Sequence, residues 1–324
     1  MAVFLRVILL PRMEAFPVEV HHSSVRMSTP SNPQRPLPHK LLRDCFAEIR
    51  DAIYHSVRGH GSRTGVRSQY LRICEEIVEQ ASLTYKLICY VLREEKPEGD
   101  NTPLVRSLAS QLYPTARHLL ELHATFVALS IDPDAQMRKF LASAIRDEAR
   151  YTEFFERYRN ETNWVRLFEQ IGAMREDLFK DLGISPADSP SYRPFKWPAS
   201  SGLTPGTRRH LGAFPPDAIA MLDYMELRYY REYSTAGHVT YRGLVAASVW
   251  RDDAQDRKLE DLRMWEHRVI LGTSVIHGAL LAEMVAHFKL ALTIAKAREM
   301  WTYLQELSTD AQDLWKIRYA ALLK

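Results

Sequence analysis

Between Leu37 and Val57 the apolar residues Leu41, Leu42, Phe46, Ile49, Ile53 and Val57 recur every three or four positions. Such a stripe faces one way on an α-helix, whereas residues three apart on a strand point to opposite faces. The period returns along the chain. Residues 66–95 carry Leu71, Ile73, Cys74, Ile77, Val78, Leu83, Leu87 and Val91, and residues 133–159 carry Met137, Phe140, Leu141, Ala144, Tyr151, Phe155 and Tyr158. No stretch alternates as a half-buried strand does. Only 13 of 324 residues are glycine while 46% are hydrophobic, which favours helices over turn-rich sheets. The expectation is an all-α bundle of about eight to ten helices.

Turn chemistry divides the chain. Residues 1–36 hold five prolines and read as a disordered N-terminal extension, with Met27 opening a second polar, proline-rich start. Residues 37–323 read as a single domain, interrupted at 184–216 by a proline-rich loop with seven prolines. Asp132-Pro133 is a helix start, with aspartate at the cap and proline first in the helix. Pro114 is expected to kink or restart a helix over 103–129. Further helices are expected at 163–182, from Pro216 to about Tyr233, at 241–250 and from about 254 to 296. In the C-terminal segment, Thr309 and Gln312 have capping-box spacing.

Composition narrows the partners. A net charge of +3 gives no whole-protein field for nucleic acid or an anionic membrane. The longest apolar run, Val269 to Ala282, is shorter than the ~20 residues of a membrane span, and Glu283, His287 and Lys289 follow it, so a buried core helix is expected. Cys45, Cys74 and Cys89 form no CxxC pair, which points to buried filler in a reducing cytoplasm. Glu-x-x-His occurs only at Glu19 to His22, so neither a metal nor another cofactor is expected.

The richest chemistry lies in 228–250, where Tyr230, Arg231, Ser234 and His238 crowd around Gly237, a helix-ending residue. Beside Arg231 holding a phosphate, His238 can act as a base on a hydroxyl. The alternative is a satisfied polar cluster in which Arg231 pairs with Glu226 or another acid. Arg117 and Glu121, four apart, form a second candidate, an ion pair inside an apolar helix. A third is the basic run Arg58 to Arg72, with four arginines and no acid, read either as a phosphate grip or as a solvated loop.

Arg117 and Glu121 in ARHLLELHATFVAL, followed after a variable region by Tyr229, Tyr230, Ser234 and His238 in Tyr-Tyr-x-x-x-Ser-x-x-x-His spacing, resemble a bacterial all-helical family of unknown function, numbered five-six-seven-seven. The likeness covers roughly 104–250 and implies an all-α fold without implying an activity. The Arg231 to His238 interval at a helix boundary also resembles HEPN ribonucleases and nucleotide-binding helical domains. That resemblance implies phosphate stabilisation by Arg231, acid–base work by His238, RNA as substrate and a homodimer. The chain departs from it with Glu232 after the arginine and Gly237 before the histidine.

Two functions are therefore expected as alternatives: a cytoplasmic protein binding a partner or phosphate-bearing ligand at Arg117, Glu121, Tyr230 and Ser234, or a metal-independent ribonuclease using Arg231 and His238. A purely structural scaffold is the third.

Overall fold

The computed structural model describes residues 39–59, 66–92, 112–156, 214–237 and 256–324, with isolated positions between 158 and 185. The expected extension at 1–36, the helix at 241–250 and His238 lie outside the described residues, as do most of the 163–182 helix and nearly all of the 184–216 loop.

Eight helices make up the described residues, and no strand occurs among them. They are α1 (His39–Gly59), α2 (Val66–Val91), α3 (Leu112–Ile131), α4 (Pro133–Glu156), α5 (216–237), α6 (Asp256–His287), α7 (Ala291–Leu307) and α8 (309–322). Two contain a π-helical turn. In α5 the turn Glu226–Tyr230 joins Pro216–Met225 to Arg231–Gly237, and in α8 Trp315–Tyr319 follows Thr309–Leu314.

The core forms around α6, in which every residue from 272 to 285 is buried. A helix apolar on all sides must be enclosed, and α6 packs against α1, α2, α3 and α7. Segment His267–His287 is apolar and long enough to cross a bilayer by composition, and here its surface is covered by these neighbours. Ile49 and Ile53 of α1 are fully buried, each contributing ~1.5–3 kcal/mol. Close approach depends on small residues: a Cβ on Gly272 would lie 2.6 Å from the Tyr233 hydroxyl, and one on Gly278 would lie 2.8 Å from Leu304. The three cysteines are free and buried.

Several helix ends follow the expected chemistry. Asp132 accepts from the Ala135 N–H at 3.2 Å, with Pro133 first in α4. Pro114 sits in the first turn of α3 as described, where its missing N–H has no helical partner to lose. In α8 the cap is Ser308, one residue earlier than Thr309, its hydroxyl accepting from Ala311 N–H at 3.3 Å. Gln312 does not complete a capping box. It donates to Gln305 O at 2.8 Å.

Three expectations need correction. The helix expected over 254–296 breaks after His287. Leu290 N–H donates to Val285 O at 3.1 Å and Lys289 N–H to Ala286 O at 3.2 Å, the paired bonds of a Schellman turn, with Lys289 at φ 52 where glycine is usual. Leu83 and Leu87 are half exposed on the outside of α2, and its buried face runs through Tyr70, Cys74, Ile77, Ala81, Tyr85 and Ile88. Helical spacing also joins Ile219 to Leu222, Met225 and Tyr229 in the expected apolar stripe of α5, but Ile219 is exposed and the stripe is Ala218, Met221, Leu222, Met225, Tyr229 and Tyr233.

Candidate functional site

The helices α3 and α5 pack side by side. Arg117 Nε donates to Glu121 Oε1 at 2.8 Å, and the guanidinium carbon lies 5.0 Å from the centre of the Tyr230 ring. The structure thus brings together Arg117, Glu121 and Tyr230. Glu121 and Tyr230 line a slot floored by Leu120, Ala124, Leu222 and Met225, with Glu226 on its rim. The slot holds only about 20 Å³, space for one water. Its named charges are carboxylates, and the nearby guanidinium is already engaged, so the slot does not suit a phosphate. The Ser234 hydroxyl is buried without a hydrogen-bond partner among the described residues. Arg231 is exposed and is not among the residues lining the slot. Its pairing with His238 falls outside the described residues.

A second cluster joins α5 to α8. Asp310 accepts from the hydroxyls of Tyr224 at 2.8 Å and Tyr229 at 2.9 Å, and from Arg228 Nε at 3.0 Å. Tyr224 and Tyr229 are five residues apart. A π turn, with hydrogen bonds spanning five residues, brings such positions toward one side of the helix, and this one lets both phenols reach one carboxylate. Burial, and then the Asp310 charge, push the Tyr229 hydroxyl well above the ordinary phenol range, so it stays a donor.

Deeper in the bundle, Arg318 in the second π turn holds Glu283 of α6 in a two-pronged grip. Nε donates to Oε1 and Nη2 to Oε2 at 2.7 Å, while Nη1 reaches Asp217 at 3.0 Å. Burial opposes the guanidinium charge, but the bonds to Glu283 outweigh it and raise the Arg318 pKa. Close enough to feel that charge is His123, fully buried, with neither ring nitrogen hydrogen-bonded among the described residues. Burial and then Arg318 hold its pKa down at about 3, so the imidazole is neutral. Arg318, Glu283 and His123 are buried, and the ion pairs lock α5, α6 and α8 together.

The larger space lies between α2, the start of α4 and the turn after α6. It measures about 310 Å³, within the range of small-ligand sites. Tyr70 and Leu71 of α2, Pro133 of α4 and Phe288 form much of the wall, and Arg67, Asp134, His287 and Lys289 bring charge or a titratable ring. Tyr70 Oη and His287 Nε2 are 2.8 Å apart. Arg67 and Lys289 form no ion pair among the described residues. Burial, and then the Arg67 charge, lower the His287 pKa.

Lys289 is the only non-glycine residue at positive φ among the described residues. A side chain in this left-handed conformation costs roughly 1 kcal/mol relative to glycine, so the turn gives up stability to place an ammonium group at the cavity. Arg67 and Tyr70 belong to the basic run read from the sequence. In sequence His287 and Lys289 are polar residues ending an apolar run, and nothing local announces their meeting with α2. No group of three or more His, Cys, Asp or Glu side chains among the described residues is arranged to hold a metal.

Comparison of the chain with protein-family models, with curated proteins and with solved structures returns no match.

Proposed function

We propose that this protein binds a small phosphate-bearing ligand without transforming it, and that the ligand sits in the cavity between α2, α4 and the turn after α6. One observation carries the reading: Arg67 of α2 and Lys289 of the turn after α6, distant in sequence, meet at a cavity of about 310 Å³ with no ion-pair partner among the described residues. Cations held ready for an anion avoid the cost of first breaking a protein salt bridge. The apolar wall of Leu71, Pro133 and Phe288 suits the body of an organic phosphate, and the Asp134 carboxylate can accept from a hydroxyl or amine on that body. This departs from the site expected at Arg117, Glu121, Tyr230 and Ser234, where the guanidinium is taken and the space admits one water.

The test is titration calorimetry with inorganic phosphate on the full chain and on Arg67→Gln, Lys289→Gly and the double variant. Glycine suits the left-handed turn, so Lys289→Gly is expected to fold at least as stably as wild type while binding phosphate less tightly. Each single variant should lose about tenfold in affinity, equivalent to ~1.4 kcal/mol, and the double variant more. Equal binding by wild type and double variant, or no binding by wild type at millimolar phosphate, would rule the reading out.

A further inference from the structure

Resting on the phosphate-binding reading, we infer that the cavity takes up a small dianion together with one proton, which lands on Nε2 of His287. Tyr70 Oη and His287 Nε2 lie 2.8 Å apart, and in the Nδ1–H tautomer of the neutral imidazole Nε2 accepts the Tyr70 O–H. Protonation of Nε2 reverses that bond, because the ring nitrogen now donates and the phenol oxygen accepts. The phenolic hydrogen is then released to turn into the cavity, which Tyr70 lines, and to donate to the ligand. One proton entering from solvent thus produces two changes that favour an anion, a new positive charge and a freed donor. No other bond is made or broken.

Charge balance points to a dianion. Arg67 and Lys289 against Asp134 leave the lining at +1 with His287 neutral, and protonated His287 makes it +2. The other groups facing the ring reinforce this. From α2 come Arg67 and Tyr70, with Cys74 one turn beyond. From α4 comes Asp134, and from the turn Lys289. Phe126 of α3 and Phe288 offer only ring contacts, at 5.7 and 5.0 Å between centroids. Glu283, one turn earlier on α6, is held by Arg318. Burial and Arg67 repulsion disfavour the imidazolium, and an anion seated between Arg67 and His287 offsets that repulsion.

Sulfate is the suitable probe, since it keeps both charges from about pH 6 to about pH 8, the interval in which histidine is the usual side chain to titrate. Sulfate affinity should strengthen as pH falls, approaching tenfold per pH unit where a whole proton is taken up. In two buffers of different ionisation heat, the binding enthalpy should differ by the heat of the proton transferred. His287→Gln keeps a polar side chain that cannot charge, so its sulfate affinity should be the same at both pH values. Wild-type binding that is equally tight at both, with no buffer dependence, would overturn the inference and leave the binding reading standing. No sulfate binding at either pH, or binding undiminished in the Arg67→Gln, Lys289→Gly double variant, would overturn both.

Discussion

Asp310 shows how much one side chain can hold. Two phenols and a guanidinium from α5 converge on its two oxygens, and Tyr229 is 5% exposed, so its hydroxyl has little access to water as a substitute. Asp310→Ala should therefore destabilise the protein by about 1–3 kcal/mol, chiefly the cost of a buried donor left unpaired. Tyr229→Phe in the same background should recover part of that loss, because it removes the orphaned group. Urea denaturation of both variants checks the pair, and additive losses would show that Tyr229 and Asp310 are not coupled. At this scale the sequence was readable only where partners are near neighbours. Arg117 and Glu121 lie one helical turn apart and form the bond that their spacing suggests. Arg228 and Asp310 are 82 positions apart, and no local rule pairs them.

Among the elements, α5 departs most from a regular helix. Its π turn shifts the register, so a 3.6-residue wheel misplaces part of its face: Tyr224 and Tyr229, five apart, both reach Asp310. Gly272 of α6 lets the tyrosines of α5 close in, with Tyr229 Cε1 3.1 Å and the Tyr233 hydroxyl 2.6 Å from the position of an added Cβ. Alanine normally gains up to ~1 kcal/mol over glycine inside a helix, but here overpacking should cost about 1–3 kcal/mol. Gly272→Ala alone is thus expected to lower stability. With Tyr233→Phe, which removes the nearest atom, the same substitution should become neutral or favourable. Thermal melts of the two alanine proteins against their glycine parents decide it, and a destabilisation of the same size in both would place the strain elsewhere.

For the molecule as a whole, two buried histidines make stability depend on pH. His277 is stacked on Tyr85 at 5.0 Å between ring centres and meets Phe46 edge-on at 4.8 Å. Burial, with lesser contributions from Arg50 and Lys86, lowers its pKa to about 3, as burial and Arg318 do for His123. Both are neutral in the fold, whereas an unfolded histidine takes up a proton near pH 6.5. The unfolded chain therefore binds more protons as pH falls from about 6.5 toward about 3, and stability is complete above that interval and lost through it. Each histidine should cost roughly 2 kcal/mol by about pH 5. Urea midpoints at neutral and mildly acid pH should show the fall, and His277→Phe should remove about half of it. A midpoint independent of pH over this range would mean that these rings are not held neutral by burial.

The sequence alone determined the helical class, the place of the central helix and the start of α4, because apolar period and capping chemistry act within a few residues. It also marked Arg117, Glu121 and Tyr230 as neighbours of consequence, and α3 and α5 do bring them together. What only the tertiary structure decided is which of the polar groups are occupied. The Arg117 guanidinium is held by Glu121 and Tyr230, whereas Arg67 and Lys289 meet at a cavity with His287, more than 200 positions from Tyr70 in sequence. Whether a cation is bound by its own protein or left for a ligand depends on which helices pack together, and that follows from the burial of the apolar faces, not from the charged residues themselves.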